Sequence, residues 1–110
     1  MTISNTLNLA DGSTAANLFM TVNIHTGVIE STGKAPVDLT FWRSEADKTA
    51  GKSNVWPEVA GAKIGSCELT FTGQEVVKAG ANCKVVDTFT YYKTVVATKL
   101  FDLYGWNVTL

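Results

Sequence analysis

The residues of this chain that could carry out acid–base chemistry are few and scattered. The single histidine, His25, falls on the polar side of an alternating apolar and polar run, just before Thr26-Gly27. A metal site built on His25 needs further ligands such as carboxylates, and the sequence places none beside it. We therefore interpret His25 as an exposed strand residue near a turn. Glu45 and Asp47 lie together in a polar stretch open to water, whereas a working general acid needs a partly buried carboxyl group.

Asp38 and Asp87 fall inside predicted strands, where we expect both carboxylates at exposed edge or bulge positions.

No potential nucleophile has a recognisable activating partner. The sequence contains neither a Gly-x-Ser-x-Gly elbow nor a glycine motif that binds phosphate. Cys67 follows Gly65-Ser66 and is interpreted as a small buried hydrophobic residue. The sequence therefore predicts no catalytic, cofactor-binding or metal-binding residue, and a protein that is not an enzyme.

The two cysteines, Cys67 and Cys83, allow a disulfide bond or two free thiols. Their spacing does not match a zinc motif. If turns at Thr72-Gly73 and at 79–82 place them two strands apart, their Cα atoms lie ~9.6 Å apart at a strand spacing of ~4.8 Å. That separation exceeds the ~7 Å that a disulfide bond can bridge. The N-terminus has no basic or apolar signal region, so we expect free thiols and a location in the cytoplasm or in a virion.

The composition indicates one folded domain, residues 1–110, of which 45% are hydrophobic and 17% charged. This charged fraction lies below the ~25% of ordinary globular proteins, which suggests that another molecule covers part of the surface. The net charge is −1 and the basic residues are spread thinly between Lys34 and Lys99, so we expect no nucleic-acid partner. No apolar stretch approaches the ~20 residues of a membrane-spanning helix, and we expect no membrane partner.

Alternating apolar and polar residues predict strands along most of the chain. The predicted segments are a hairpin over 17–31 that turns at Gly27, and strands over 37–43, 64–71, 83–100 and 106–110. The residues expected to face inward are Leu18, Met20, Val22, Ile24, Val37, Leu39, Phe41, Cys67, Leu69 and Phe71. Trp106, Val108 and Leu110 alternate with polar residues, which suggests that the C-terminal segment is tied into a sheet. Pro36 should open its strand because it cannot donate a ladder hydrogen bond. The pattern predicts an all-β fold, an antiparallel β-sandwich or small barrel with room for one short helix.

Two segments leave alternatives open. Residues 44–54 are expected to form a solvated loop, although Ser44 with Asp47 could cap one helical turn. Residues 72–80 fit a hairpin turn at Thr72-Gly73 or a short helix capped by Thr72 and Glu75. We favour the hairpin because the Val76-Val77 pair prefers strands. Between these segments, Trp56 is expected to re-enter the core as an anchor.

Residues 83–100 are predicted to form one long strand, or two strands broken by a bulge near Ala97-Thr98. One unbroken strand of this length is too long for a compact domain. It would extend roughly 60 Å at ~3.3 Å per residue, against a radius of gyration of ~13 Å for a domain of this size. Thr88, Thr90, Tyr92 and Thr94 would share its weakly polar face, and Trp42 also points away from the apolar side of its strand. We therefore predict an interface at these five residues and a homo-oligomer or a subunit of a larger assembly.

Low charge, abundant threonine and glycine, and long strands resemble in general texture the structural subunits of tailed-phage virions. No motif identifies one such family. The resemblance implies a non-catalytic subunit of a tail, baseplate, connector or capsid decoration that self-associates, without cofactors. The alternative is a small carbohydrate- or peptide-binding β module that uses the aromatic side chains of Trp42 and Tyr92.

Overall fold

A computed structural model describes residues 1–25, 33–70 and 88–110, without the side chains of residues 88 and 89. The described strands are β1 (Thr2–Ile3), β2 (Leu7–Asn8), β3 (Thr14–Ala15), β4 (Leu18–Ile24), β5 (Lys34–Trp42), β6 (Glu58–Val59), β7 (Ala62–Lys63), β8 (Ser66–Thr70) and β9 (Val108–Thr109). The described helices are α1 (Glu45–Thr49) and α2 (Thr88–Tyr104). Neither helix is long and apolar enough to cross a membrane.

A five-stranded antiparallel sheet in the order β8-β5-β4-β1-β9 forms the body of the fold. It curls into half a barrel, and the pairs β2–β3 and β6–β7 add two small ribbons. The predicted fold class, a mostly β antiparallel domain, is therefore confirmed.

The central pair of strands follows the predicted alternation. Met20 lies opposite Phe41 and Val22 lies opposite Leu39, so the apolar residues of β4 and β5 meet on the inner face. Burial of this face supplies the main driving force for folding. The buried core consists of Ile3, Leu9, Leu18, Met20, Ala35, Val37, Leu39, Phe41, Leu69, Val96, Leu100 and Trp106.

Helix α2 covers the open side of the curled sheet. It contacts β8 and β9, which are the two outermost strands of the sheet. Val96 and Leu100 are fully buried, and Tyr92 packs against the same core. These three residues are four positions apart and therefore lie on one face of the helix.

The predicted strand over 83–100 is wrong wherever the structure describes it, because helix α2 occupies 88–104. β propensity depends strongly on tertiary context, and the four-residue spacing of apolar side chains suits a helix equally well. The hydroxyl groups of Thr94 and Thr98 donate to the carbonyl oxygens of Thr90 and Thr94, at 3.0 and 3.1 Å. These hydrogen bonds within the helix satisfy the threonine hydroxyls.

Helix α2 ends at Tyr104. The next residue, Gly105, has a φ of 71°, which lies in the left-handed region. Its N–H donates to the carbonyl oxygen of Phe101 at 2.8 Å, which is the usual closing bond of such a glycine cap. The chain then turns into β9, where Val108 pairs with Ile3. The predicted attachment of the C-terminal segment to a sheet is confirmed, and Leu110 beyond it is 54% exposed.

Two local predictions are wrong. Residues 45–49 form a helical turn instead of a loop, and the Ser44 hydroxyl caps it by accepting from the Asp47 N–H at 3.1 Å. Pro36 lies within β5 rather than at its start. The strand tolerates Pro36 because this residue stands beside the end of β4. The Pro36 carbonyl oxygen still accepts from the His25 N–H at 2.9 Å. Only the one ladder bond that a backbone N–H of residue 36 would donate is lost.

Strand β8 confirms the predicted strand over 64–71 in its described part. Leu69 is buried opposite Ala35, and Cys67 is half-buried opposite Val37. Several other predictions lie outside the described residues. They concern the turn at Gly27, the alternatives for 72–80, the inward position of Phe71, the exposure of Asp87 and the state of Cys83.

Candidate functional site

The residues predicted to form an interface do not share one surface. Residues two positions apart on a helix are rotated by about 200°, so Tyr92 points away from Thr90 and Thr94. Tyr92 packs against the core, whereas Thr90 and Thr94 are exposed. Thr88 begins the helix. The predicted common face of these four residues is therefore wrong, because it assumed a strand.

Trp42 lies apart from them, at the end of β5 on the outer face of the sheet. Its ring packs against Phe19, with 6.3 Å between ring centroids, and the Lys48 ammonium group stands 5.5 Å from the ring centroid. Since Tyr92 packs against the core from helix α2, Trp42 and Tyr92 do not form one aromatic platform. The binding site that they were predicted to share is not assembled.

His25 and Asp38 form a surface pair that the sequence did not reveal. The His25 Nε2 atom lies 2.8 Å from Asp38 Oδ2, and the two side chains are 51% and 61% exposed. The register of β4 on β5 brings them together, since Asn23 lies opposite Asp38. No group of three potential metal ligands occurs among the described residues. An exposed hydrogen-bonded pair of this kind contributes little to stability.

Cys67 is a free thiol, as predicted. Burial raises the pKa of this thiol, and the nearby positive charge of Lys99 opposes the effect only in part. A raised pKa keeps the sulfur protonated, and the thiol is a poor nucleophile. Cys67 therefore behaves as a small apolar residue at the edge of the core.

One exposed apolar surface lies where helix α2 meets strand β9. Phe101 is 56% exposed and Leu110 is 54% exposed. Between the two elements runs a groove of about 330 Å³, lined by Ala97, Thr98, Phe101, Trp106, Asn107, Val108 and Thr109. We call this groove, together with Leu110, the α2–β9 surface. It contains no charged side chain.

The same surface includes an open strand edge. The Ser4 N–H donates to the Asn107 carbonyl oxygen at 3.0 Å, and Thr109 lies opposite Thr2. Alternate residues of an antiparallel strand direct their peptide groups to opposite sides, so the N–H and C=O of Val108 point away from β1. No described residue pairs with this side of β9. The sequence predicted neither this edge nor the exposure of Phe101, because both depend on helix α2.

A second concave site surrounds Trp56, which is 38% exposed instead of buried as predicted. The cavity measures about 260 Å³ and is lined by Leu9, Ala10, Asp11, Asn54, Val55, Trp56 and Lys63. We call it the Trp56 pocket. The backbone holds it together, since the Ala10 N–H donates to the Trp56 carbonyl oxygen at 2.9 Å and Leu9 bridges to Pro57.

The indole of Trp56 lies against the backbone of Gly65. A Cβ atom placed at position 65 would stand only 2.5 Å from Cζ3 of the ring. A glycine is therefore required for this close approach, and the ring packs against the backbone at this position. Sequence reasoning missed this role because nothing in the local pattern links Gly65 to Trp56.

Asp11 supplies a carboxylate on the wall of the Trp56 pocket. Hydrogen bonds from the Ser13 hydroxyl and then from the Ser13 N–H, the latter at 2.9 Å, lower the pKa of Asp11. Arg43 Nη2 stands 3.7 Å from Asp11 Oδ2 and donates to the Ser13 hydroxyl at 2.9 Å. These contacts hold the carboxylate charged and in place.

Comparisons with models of known families, with curated proteins and with solved structures find no match.

Proposed function

We propose that this chain is a non-catalytic structural subunit that assembles with copies of itself, in the manner of the small subunits of tailed-phage virions. The α2–β9 surface carries the proposal. It combines an open strand edge, an uncharged groove and two large exposed side chains, Phe101 and Leu110. Exposed, uncharged strand edges are readily paired by another chain.

Two copies can meet at this surface around a two-fold axis. In such a contact the Val108 edges of both copies pair antiparallel, and each Phe101 finds apolar cover on the partner. The same patch then serves both subunits, and the closed symmetry prevents further growth at that edge. Larger assemblies need a second contact elsewhere on the chain.

The charge distribution supports a protein partner that resembles the chain itself. Only 17% of the residues are charged, and none of the residues lining the α2–β9 groove is charged. Two copies therefore come together there without removing a charged group from water, which would cost free energy. A strongly charged partner finds no complement on this surface.

Size-exclusion chromatography with light scattering tests the proposal. We expect the wild type to associate at micromolar concentration, and Phe101→Ser to weaken association at least about tenfold, or about 1.4 kcal/mol. Leu103→Ser is the matched control. Leu103 is 49% exposed on the same helix but does not line the groove, so this variant should associate like the wild type.

A strictly monomeric wild type, with no particle that incorporates it, would contradict assembly. An equal loss of association in the Phe101 and Leu103 variants would contradict the location of the interface. Circular dichroism of both variants checks that the helix is retained.

A further inference from the structure

We propose that the Trp56 pocket binds one ring of a saccharide. The pocket lies outside the α2–β9 surface and shares no lining residue with it. The proposal therefore does not depend on self-assembly, and a monomeric protein could bind in the same way. Its basis is the combination of an aromatic wall with hydrogen-bonding groups of three kinds.

The aromatic wall is held in place before any ligand arrives. Gly65 supports the indole from one side, and the backbone of Trp56 is fixed by its bond from the Ala10 N–H at 2.9 Å. With 38% of the residue exposed, part of the ring remains open to the solvent. The π face of an indole is apolar and weakly negative, which suits the C–H groups on one face of a pyranose ring.

The polar wall offers both donors and acceptors. The side chains of Asn54 and Lys63 make no hydrogen bond or ion pair with the described residues. Asn54 can donate and accept, and the ammonium group of Lys63 has three donors. Ser13 occupies Oδ1 of Asp11, and Arg43 Nη2 stands 3.7 Å from Oδ2; a carboxylate oxygen has two lone pairs, so Oδ2 can accept a further hydrogen bond from a ligand. Hydroxyl groups, which donate and accept, can be paired by all three side chains.

The volume and the charge both favour a saccharide over other ligands. About 260 Å³ lies just below the ~300–1,000 Å³ of pockets for drug-sized molecules, which suits a single sugar ring. The lining carries one carboxylate, Asp11, and one ammonium group, Lys63, so their charges balance and give no net attraction for a phosphate group. A purely apolar ligand would leave the side chains of Asn54 and Lys63 without partners in a desolvated site, at a cost in affinity.

Nuclear magnetic resonance titration tests the proposal on the complete chain. The probes are the methyl pyranosides of glucose, galactose, mannose and N-acetylglucosamine, with inorganic phosphate as a further probe. We expect at least one pyranoside to shift the indole N–H signal of Trp56 and to leave that of Trp106 unchanged. The Trp56→Phe variant assigns the signal and should retain binding.

Variants then locate the site. Trp56→Ala should weaken binding of the same pyranoside at least about tenfold, and Asn54→Ala should weaken it severalfold. Asn54 lies on the surface outside the core, so that variant remains informative if Trp56→Ala fails to fold. Leu103→Ser is the control, since Leu103 is 49% exposed on helix α2 and does not line the pocket, and it should bind like the wild type.

Gly65→Ala tests whether the held ring is needed. The added methyl group would come within 2.5 Å of Cζ3 of Trp56, so the indole must move and the affinity should fall although no ligand-contacting side chain is lost. The proposal is overturned if no pyranoside shifts the Trp56 signal, or if Trp56→Ala and Asn54→Ala both bind like the wild type. A shift caused by phosphate alone would overturn it in favour of an anion site.

Discussion

The α2–β9 surface and the Trp56 pocket are both partly apolar, yet they suit different partners. The first is an uncharged groove beside an open strand edge, with Phe101 and Leu110 exposed. The second is smaller, and it places an aromatic ring beside a carboxylate, an amide and an ammonium group. Both surfaces expose large side chains to a similar degree, so exposure alone does not distinguish them.

The polar groups account for the difference. Interface cores between proteins are depleted of charged residues, and small-ligand sites add a few well-placed polar groups to an apolar cavity. The way each surface is supported also differs. Packing of helix α2 on the core creates the α2–β9 surface, whereas backbone hydrogen bonds and the close approach of Gly65 create the Trp56 pocket. Variants can therefore affect one surface without the other.

The largest effect is expected at Leu100, the residue beside Phe101 on helix α2. Leu100 is fully buried, so Leu100→Ala leaves a cavity and should lower the free energy of unfolding by about 2–5 kcal/mol. Phe101→Ala should change that free energy by no more than about 0.5 kcal/mol in the monomer while weakening association. Urea denaturation under dilute conditions measures both variants. Similar losses of stability in the two would show that Phe101 belongs to the core instead of the assembly surface.

A smaller effect is expected at Ser44, which belongs to neither surface. Its hydroxyl accepts from the Asp47 N–H at the start of helix α1, and Ser44→Ala should lower the free energy of unfolding by about 1 kcal/mol. Association and pyranoside binding should stay unchanged under conditions where the variant is folded. Ser44→Asp is the control, because aspartate also caps a helix, and it should restore stability. If Ser44→Ala altered association, the two surfaces would not be independent of general stability.

The central strands could be predicted from sequence because their burial follows a simple rule. Alternation placed Leu18 and Met20 on one face of β4, and Leu39 and Phe41 on one face of β5, and both faces are buried. Only the pairing of neighbouring strands is needed to bury such residues. The partners in register, such as Met20 opposite Phe41, were not predicted.

Helix α2 could not be predicted in the same way. Its threonine, tyrosine and valine residues favour strands in isolation. Around Tyr92 and Val96 the apolar side chains fit both the two-residue period of a strand and the four-residue spacing of a helix. The helix is favoured in the folded protein because it covers the open side of the curled sheet. Both candidate surfaces depend on such distant contacts. Phe101 is exposed by the orientation of the helix, and Trp56 is held by Gly65, nine positions further along the chain.

The smallest expected effect is the pH dependence of each surface. It should differ between them because only the Trp56 pocket has titratable side chains in its lining. The α2–β9 groove has no titratable side chain in its lining, so acid should leave the contact itself unchanged wherever the protein stays folded. The Trp56 pocket contains Asp11, whose pKa is lowered by the hydrogen bonds from Ser13. A carboxyl group with a lowered pKa stabilises the folded state above its unfolded pKa, and this contribution is lost as pH falls through its folded pKa.

The difference in stability between the wild type and Asp11→Asn should therefore be constant near neutral pH and shrink below the ordinary carboxyl pKa of 3.8. Pyranoside binding should weaken over the same range, because protonated Asp11 accepts hydrogen bonds less well. Urea denaturation and the Trp56 indole signal, followed from neutral to acidic pH, measure the two effects. Asp102→Asn is the control for general charge, since Asp102 is an exposed aspartate outside the pocket. A stability difference that stays unchanged through acid would show that the contacts with Ser13 do not hold Asp11 in its charged form.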